Sequence, residues 1–207
     1  MLERIRWLGH ASFLIAGEPS IYIDPWKLST TEEADIVLIS HSHYDHFSAD
    51  DVSEIRGETT EVVCPRDVAD QLSGRVTTVA PGSRVSVRDV LIEVLPAYNV
   101  TSSFHPRGDL GLGFVLTFEG GRRLYYAGDT DFIPEMAGLK DVDVALLPVG
   151  GRYTMDAEEA ARAANTFRPR VVIPYHWGDI VGTRQDAERF SQVFAGETRI
   201  LEEDGRP

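Results

Sequence analysis

Residues 34–47 read Ala-Asp-Ile-Val-Leu-Ile-Ser-His-Ser-His-Tyr-Asp-His-Phe and place three imidazoles and one carboxylate, His41, His43, Asp45 and His46, within six positions. Imidazole nitrogen and carboxylate oxygen are ligands that a divalent ion such as zinc takes at about 2 Å, so the spacing points to a metal site. While the backbone stays extended, His41 and His43 project to the same side, because side chains alternate with period two along a strand. A turn into the following helix can then bring Asp45 and His46 back toward them. Cys64 is the one cysteine, which excludes an intramolecular disulfide and any thiolate-rich zinc or iron–sulfur centre. Nitrogen and oxygen must do the binding.

Such a cluster needs a rigid frame. Short apolar, β-branched runs recur at residues 12–15, 21–23, 36–39, 61–64, 76–79, 85–87, 90–95, 113–118, 124–126, 144–147 and 171–173, many bounded by Gly, Pro, Asp or Asn, and they read as strands. Helices are fewer. Residues 48–56 open on a capping-box pattern of Ser48 and Asp51 and stop at Gly57; 65–73 start on a proline and stop at Gly74. Residues 156–167 pair Asp156 with Glu159 and put Ala160, Ala163, Ala164 and Phe167 on one face, and 184–194 form the last helix. Strands dominate the middle and helices follow strands near both ends. This predicts an α/β (α+β) fold of two sheets with helices packed outside, a four-layer αββα sandwich.

With 207 residues, 43% hydrophobic and 26% charged, one domain over 1–207 with a sizeable core is expected. The net charge of −13, with 18 arginines and only Lys27 and Lys140 as lysines, repels a phosphate backbone, and no basic cluster offsets it. A small-molecule substrate is therefore expected rather than nucleic acid. No run approaches the ~18 apolar residues of a membrane span, and the apolar stretch at 11–16 is shorter than a signal-peptide core. A cytoplasmic location with no membrane partner follows as the expectation. The sequence leaves the oligomeric state open.

The His-x-His-x-Asp-His signature after a strand resembles that of the metallo-β-lactamase superfamily. The resemblance extends along the chain through Gly9-His10-Ala11-Ser12-Phe13, Ile23-Asp24-Pro25, Ala127-Gly128-Asp129-Thr130, Leu147-Pro148-Val149-Gly150 and Ile173-Pro174-Tyr175-His176. These follow in the order of its stand-alone metal-dependent hydrolases, a branch that includes ascorbate-phosphate lactonase-like and phospholipase-D-like proteins. The resemblance implies the αββα fold already read from the pattern. It also implies two metal ions: His41 and His43 on the first, Asp45 and His46 on the second, Asp129 bridging, and His176 completing the second. Pro96-Ala97-Tyr98-Asn99 departs from the family pattern, which commonly carries a histidine where Asn99 stands. His105, six residues on, is expected to fold back as the substitute. His10 and Asp24 are candidates to support the ligands from behind, since metal-bound histidines usually give their second nitrogen's proton to a carboxylate or carbonyl.

The expected activity is hydrolysis of a small ester, lactone or phosphoester by a metal-bridged hydroxide, with Asp45 and Asp129 as the catalytic carboxylates. Zinc is the first candidate for both ions; manganese or iron suits the same donors. Tyr98, Asn99, Tyr153 and Tyr175 are the expected substrate-pocket residues. Two other classes are considered: a persulfide-dioxygenase-like redox enzyme using iron, and a metal-binding protein without turnover.

Overall fold

The computed structural model describes residues 1–29, 32–109 and 111–204. The described strands form two sheets, each laid out in chain order. The first contains β1 (Ile5–Gly9), β2 (Ser12–Ile15), β3 (Ile21–Ile23), β4 (Ala34–Leu38), β5 (Arg56–Cys64) and β6 (Val76–Thr78). The second contains β7 (Arg84–Val87), β8 (Val90–Pro96), β9 (Leu112–Thr117), β10 (Arg123–Tyr126), β11 (Val144–Pro148), β12 (Val171–Tyr175) and β13 (Glu197–Thr198). Both begin antiparallel and turn parallel, at β3–β4 in the first and β10–β11 in the second.

The main core lies between the sheets and includes Phe13, Ile23, Ile36, Phe114, Tyr126 and Leu146, all shut off from water. On β8, Val90, Ile92 and Val94 are buried while Leu91 and Glu93 are not, the period-two pattern of a strand with one covered face. Helix α1 (Ala49–Ile55) is started by Ser48, whose hydroxyl accepts from the Asp51 N–H at 3.2 Å. Its Val52 and Ile55, with Val68 of the one-turn α2 (Arg66–Ala69), pack with Leu14, Tyr22, Val37 and Val62 of the first sheet. On the other side α3 (Ala157–Phe167) is capped by Asp156, which accepts from Glu159 N–H at 2.7 Å, and closes at Arg168 in the left-handed conformation. Its alanine face joins the main core, and α4 (Arg184–Val193) packs beside it. The result is the four-layer αββα sandwich that the strand and helix pattern predicts.

Several boundaries differ from expectation. The first helix ends at Ile55, one residue short of the expected Arg56, because Arg56 is already extended (φ −96°, ψ 114°) and belongs with Gly57 to β5. The second helix stops at Ala69, four residues before the expected end, with Val68 its one buried side chain. Strand β1 is hidden in the sequence by Arg4 and Arg6, which alternate with the buried Ile5 and Trp7. Among the described residues no helix is long and apolar enough to cross a membrane.

The loops leaving β1, β3, β4, β8, β10 and β12 meet at one end of the sandwich. Two backbone hydrogen bonds tie the sheets together there: His176 N–H donates to His10 O at 3.0 Å, and Leu112 N–H donates to Ser40 O at 3.0 Å.

Candidate metal centre

All six histidines of the chain converge at this end. One group is His41, His43 and His105; a second is His10, Asp45, His46 and His176. Within each, one donor atom per residue lies within 4.8 Å of the others. Asp129 stands between the groups, with Oδ1 3.2 Å from His46 Nε2 and Oδ2 3.2 Å from His176 Nε2 and 3.5 Å from His105 Nε2. Gly128 makes this approach: its φ is +67°, and a Cβ there would stand 2.4 Å from Leu112 O.

The network behind the rings fixes which nitrogens face inward. Asp24 is wholly buried; its Oδ1 accepts from Ser40 N–H at 2.7 Å. Its Oδ2 accepts from the Ser40 hydroxyl (2.5 Å), the Tyr126 hydroxyl (2.6 Å) and His46 Nδ1 (2.7 Å). Having given its proton to Asp24, Ser40 Oγ accepts from His41 Nδ1 at 2.9 Å. His105 Nδ1 faces Asn99 Oδ1 and Tyr153 O, both at 3.2 Å. His41 and His105 are thus each left with an unprotonated Nε2 turned into the cluster. His41 Nε2 lies 3.0 Å and His105 Nε2 3.2 Å from the same atom, His43 Nδ1. One proton on His43 can satisfy only one of two such lone pairs. In the second group His46 Nε2, Asp129 Oδ1 and both His176 ring nitrogens are buried with no hydrogen-bond partner. Buried polar atoms are seldom left so; a cation among them would take one nitrogen of each ring and a carboxylate oxygen, and the donor set suits a borderline divalent ion.

The electrostatics separate His46 from the other rings. Burial pushes His10, His41 and His105 below the ordinary imidazole range, so they are neutral at pH 7 with lone pairs free. Burial opposes a charge on His46 as well, but Asp129 and Asp24 override it and hold its pKa well above normal. Asp129 and Asp45 remain ionised against their burial, Asp129 through His176 and His46, and Asp45 through His10, whose Nε2 lies 3.1 Å from Asp45 Oδ2. His10 (φ +47°), Asp24 (φ +45°) and His176 (φ +65°) all adopt the left-handed backbone region, which side chains other than glycine rarely occupy. Strain of this kind collects where geometry serves a site.

The expected pocket residues divide. Tyr175 is in the core: it is fully buried, stacks on Tyr126, and donates its hydroxyl to Gly128 O at 2.7 Å. Tyr98 is also turned away, its hydroxyl on Glu135 at 3.0 Å. Asn99 is buried and acts on His105: its Oδ1 accepts from His105 N–H at 2.9 Å, while its Nδ2 is held by Asp131 and Tyr153 O, each at 2.8 Å. Tyr153 remains beside the loop, edge-on to Phe104. Sequence reasoning missed Ser40, Tyr126 and Asp131, the hydrogen-bond partners of Asp24 and Asn99. A single sequence carries no signal for them beyond their closeness to His41, Asp129 and Thr130. A recess of about 300 Å³ opens beside the first group, lined by His41, Ser42, His43, Asp67, His105, Gly108, Asp109 and Gly111.

The family described as "Beta-lactamase superfamily domain" matches residues 4–176. This chain belongs to the β-lactamase superfamily. Among its relatives there, a protein of Thermococcus kodakarensis described as "UPF0173 metal-dependent hydrolase" is 31% identical, with 97% of this chain and 96% of that protein covered. This superfamily member thus falls within a group of metal-dependent hydrolases. A solved structure from Parabacteroides distasonis superposes with a TM-score of 0.86 at 34% identity, covering 96% of this chain and 92% of that one. CmlA, a diiron β-hydroxylase from Streptomyces venezuelae, shares the fold alone, with a TM-score of 0.74 at 16% identity over 96% of this chain and 52% of that one.

The titration pattern sets the pH response of the metal-free superfamily member. An unfolded histidine titrates near ~6.5, so the lowered His10, His41 and His105 contribute stability above that pH and lose it as the pH falls through it. The raised His46 works the other way: its contribution is complete below ~6.5 and is lost on raising the pH through its folded value. The melting temperature of metal-free protein is expected to decline on acidification from pH 6.5 to 5; a flat or rising profile would contradict the assignment of neutral, buried imidazoles.

Proposed function

We propose that this chain hydrolyses a small ester or lactone with two divalent ions, which His41, His43 and His105 would hold in one group and Asp45, His46 and His176 in the other, with Asp129 standing between the groups. The observation that carries the reading is a crowd of ring nitrogens that protons cannot all satisfy: His41 Nε2 and His105 Nε2 both meet His43 Nδ1, at 3.0 and 3.2 Å, and both His176 ring nitrogens are buried without a hydrogen-bond partner. Ions so bound lower the pKa of water and polarise the oxygen that gains charge in the transition state. The chain's own contribution is positioning. Asp24 receives the protons of His46 and Ser40, and Ser40 in turn fixes His41. Asn99 turns His105 inward, which supports His105 as the replacement for the histidine absent at position 99. His10 holds Asp45, whose other oxygen is left for metal or for orienting the attacking water.

Among ester classes, the recess favours neutral substrates. Asp67 and Asp109 line it with no lysine or arginine among its described lining residues, and Asp67 Oδ1 is buried without a hydrogen-bond partner. A phosphoester's charge is repelled there, whereas a carboxylic ester or lactone brings no charge. Zinc is the leading choice of ion on the nitrogen and oxygen donor set, with manganese next.

Metal-loaded protein should turn over aryl acetates or simple lactones faster than bis(p-nitrophenyl) phosphate. Chelation should abolish that turnover and added zinc or manganese should restore it. Turnover unaffected by chelation would remove the metal from the mechanism. Asp24→Asn keeps the shape but loses an acceptor charge; it is expected to weaken metal binding by about 10–100-fold, the usual effect of losing a ligand's support. Unchanged affinity in a competition titration would show that Asp24 serves the fold alone.

A further inference from the structure

Among the described residues four large apolar side chains are exposed: Tyr44 at 67%, Val100 at 60%, Phe104 at 49% and Ile180 at 44%. Scattered singly, such residues need no explanation. Here every one lies on a loop that carries the candidate metal centre. Tyr44 sits between His43 and Asp45, Val100 follows Asn99, Phe104 precedes His105, and Ile180 comes four residues after His176.

Contacts place Tyr44, Ile180 and Phe104 on two walls. On one side Tyr44 stands edge-on to Trp26 (ring centroids 6.1 Å apart), Lys27 Nζ lies 4.1 Å above the Trp26 ring, and the same ammonium reaches Asp179 at 2.9 Å, next to Ile180. On the other, Phe104 stands edge-on to Tyr153 (4.7 Å), whose carbonyl meets His105 and Asn99. The walls are joined through the centre itself, since the His43 and His105 rings are 5.0 Å apart. Tyr44 and Phe104 each adjoin a donor histidine in the chain, and the Lys27–Asp179 ion pair ties the segment of Ile180 to the Trp26 side, so the exposed apolar groups flank the donor atoms, where the part of a substrate beyond its reacting group must lie.

We infer that these walls bind an aliphatic or aromatic chain attached to the scissile group, so that the substrate is an apolar ester or lactone. Tyr44, Phe104 and Ile180 are its specificity-determining residues. This rests on the hydrolase reading above and adds the substrate class to it.

Straight-chain alkanehydroxamates are the probe, because they share one metal-binding head, carry no fixed charge and differ only in the chain. With zinc-loaded protein, calorimetric affinity should rise about 2–4-fold for each methylene from two to six carbons, the gain of a partly to fully covered methylene. Phe104→Ser and Ile180→Ser should each cut the six-to-two-carbon affinity ratio at least about threefold, and Tyr44→Ser likewise, with two-carbon binding reporting an intact centre. A flat series in the wild type, or a ratio unchanged in all three variants, overturns the inference. So does a flat series together with self-association that the substitutions abolish, which would give the walls to a second copy of the chain. The two readings fail separately. Ester turnover with a flat hydroxamate series sinks the apolar substrate and keeps the hydrolase, whereas a rising series without hydrolysis of any ester keeps the walls and sinks the hydrolase. Absence of bound metal and of hydroxamate binding at every length overturns both.

Discussion

A carboxylate sealed from water must find donors, and Asp24 finds four: the Ser40 amide and hydroxyl, the Tyr126 hydroxyl and His46 Nδ1. Three belong to the first sheet and its loop; Tyr126 belongs to the second. The same group therefore registers the two sheets at the end where the loops meet and sets the direction of the His41 and His46 rings. Taking a partner from a buried charge costs about 3–5 kcal/mol, so the arrangement has little freedom to drift. The inward lone pair of His41 follows from this outer network, that of His105 from Asn99 and the Tyr153 carbonyl, and the close approach of Asp129 from Gly128.

Much of this was legible in the sequence, for identifiable reasons. The αββα order could be read because β-branched runs and turn residues mark strands independently of their partners. The cluster from His41 to His46 is local, so spacing alone exposed it. Asp129 and His176 came through the family pattern, and the structure brings both to the cluster. Other features depend on distance in space. Tyr175 follows Pro174 beside a site residue and reads like a pocket wall, yet the strand alternation turns it into the core. Asn99 looked like a vacancy; it is the acceptor that orients His105, and only the folded loop reveals that. Strand β1 was missed because alternating arginines mask its buried positions, and β13 because two residues carry no pattern.

The fold itself does not choose the chemistry. A hydroxylase with two irons shares it at 16% identity, and function has to be argued from the site. In this chain the described site offers nitrogen and oxygen donors beside a recess lined by Asp67 and Asp109, and the proposed function rests on these.

The metal content of the purified protein, by elemental mass spectrometry with a matched protein concentration, addresses that account most directly. Two groups of donors linked by Asp129 predict close to two zinc or manganese ions per chain. A single iron per chain, or no retained metal after growth with each of these ions supplied, would contradict it.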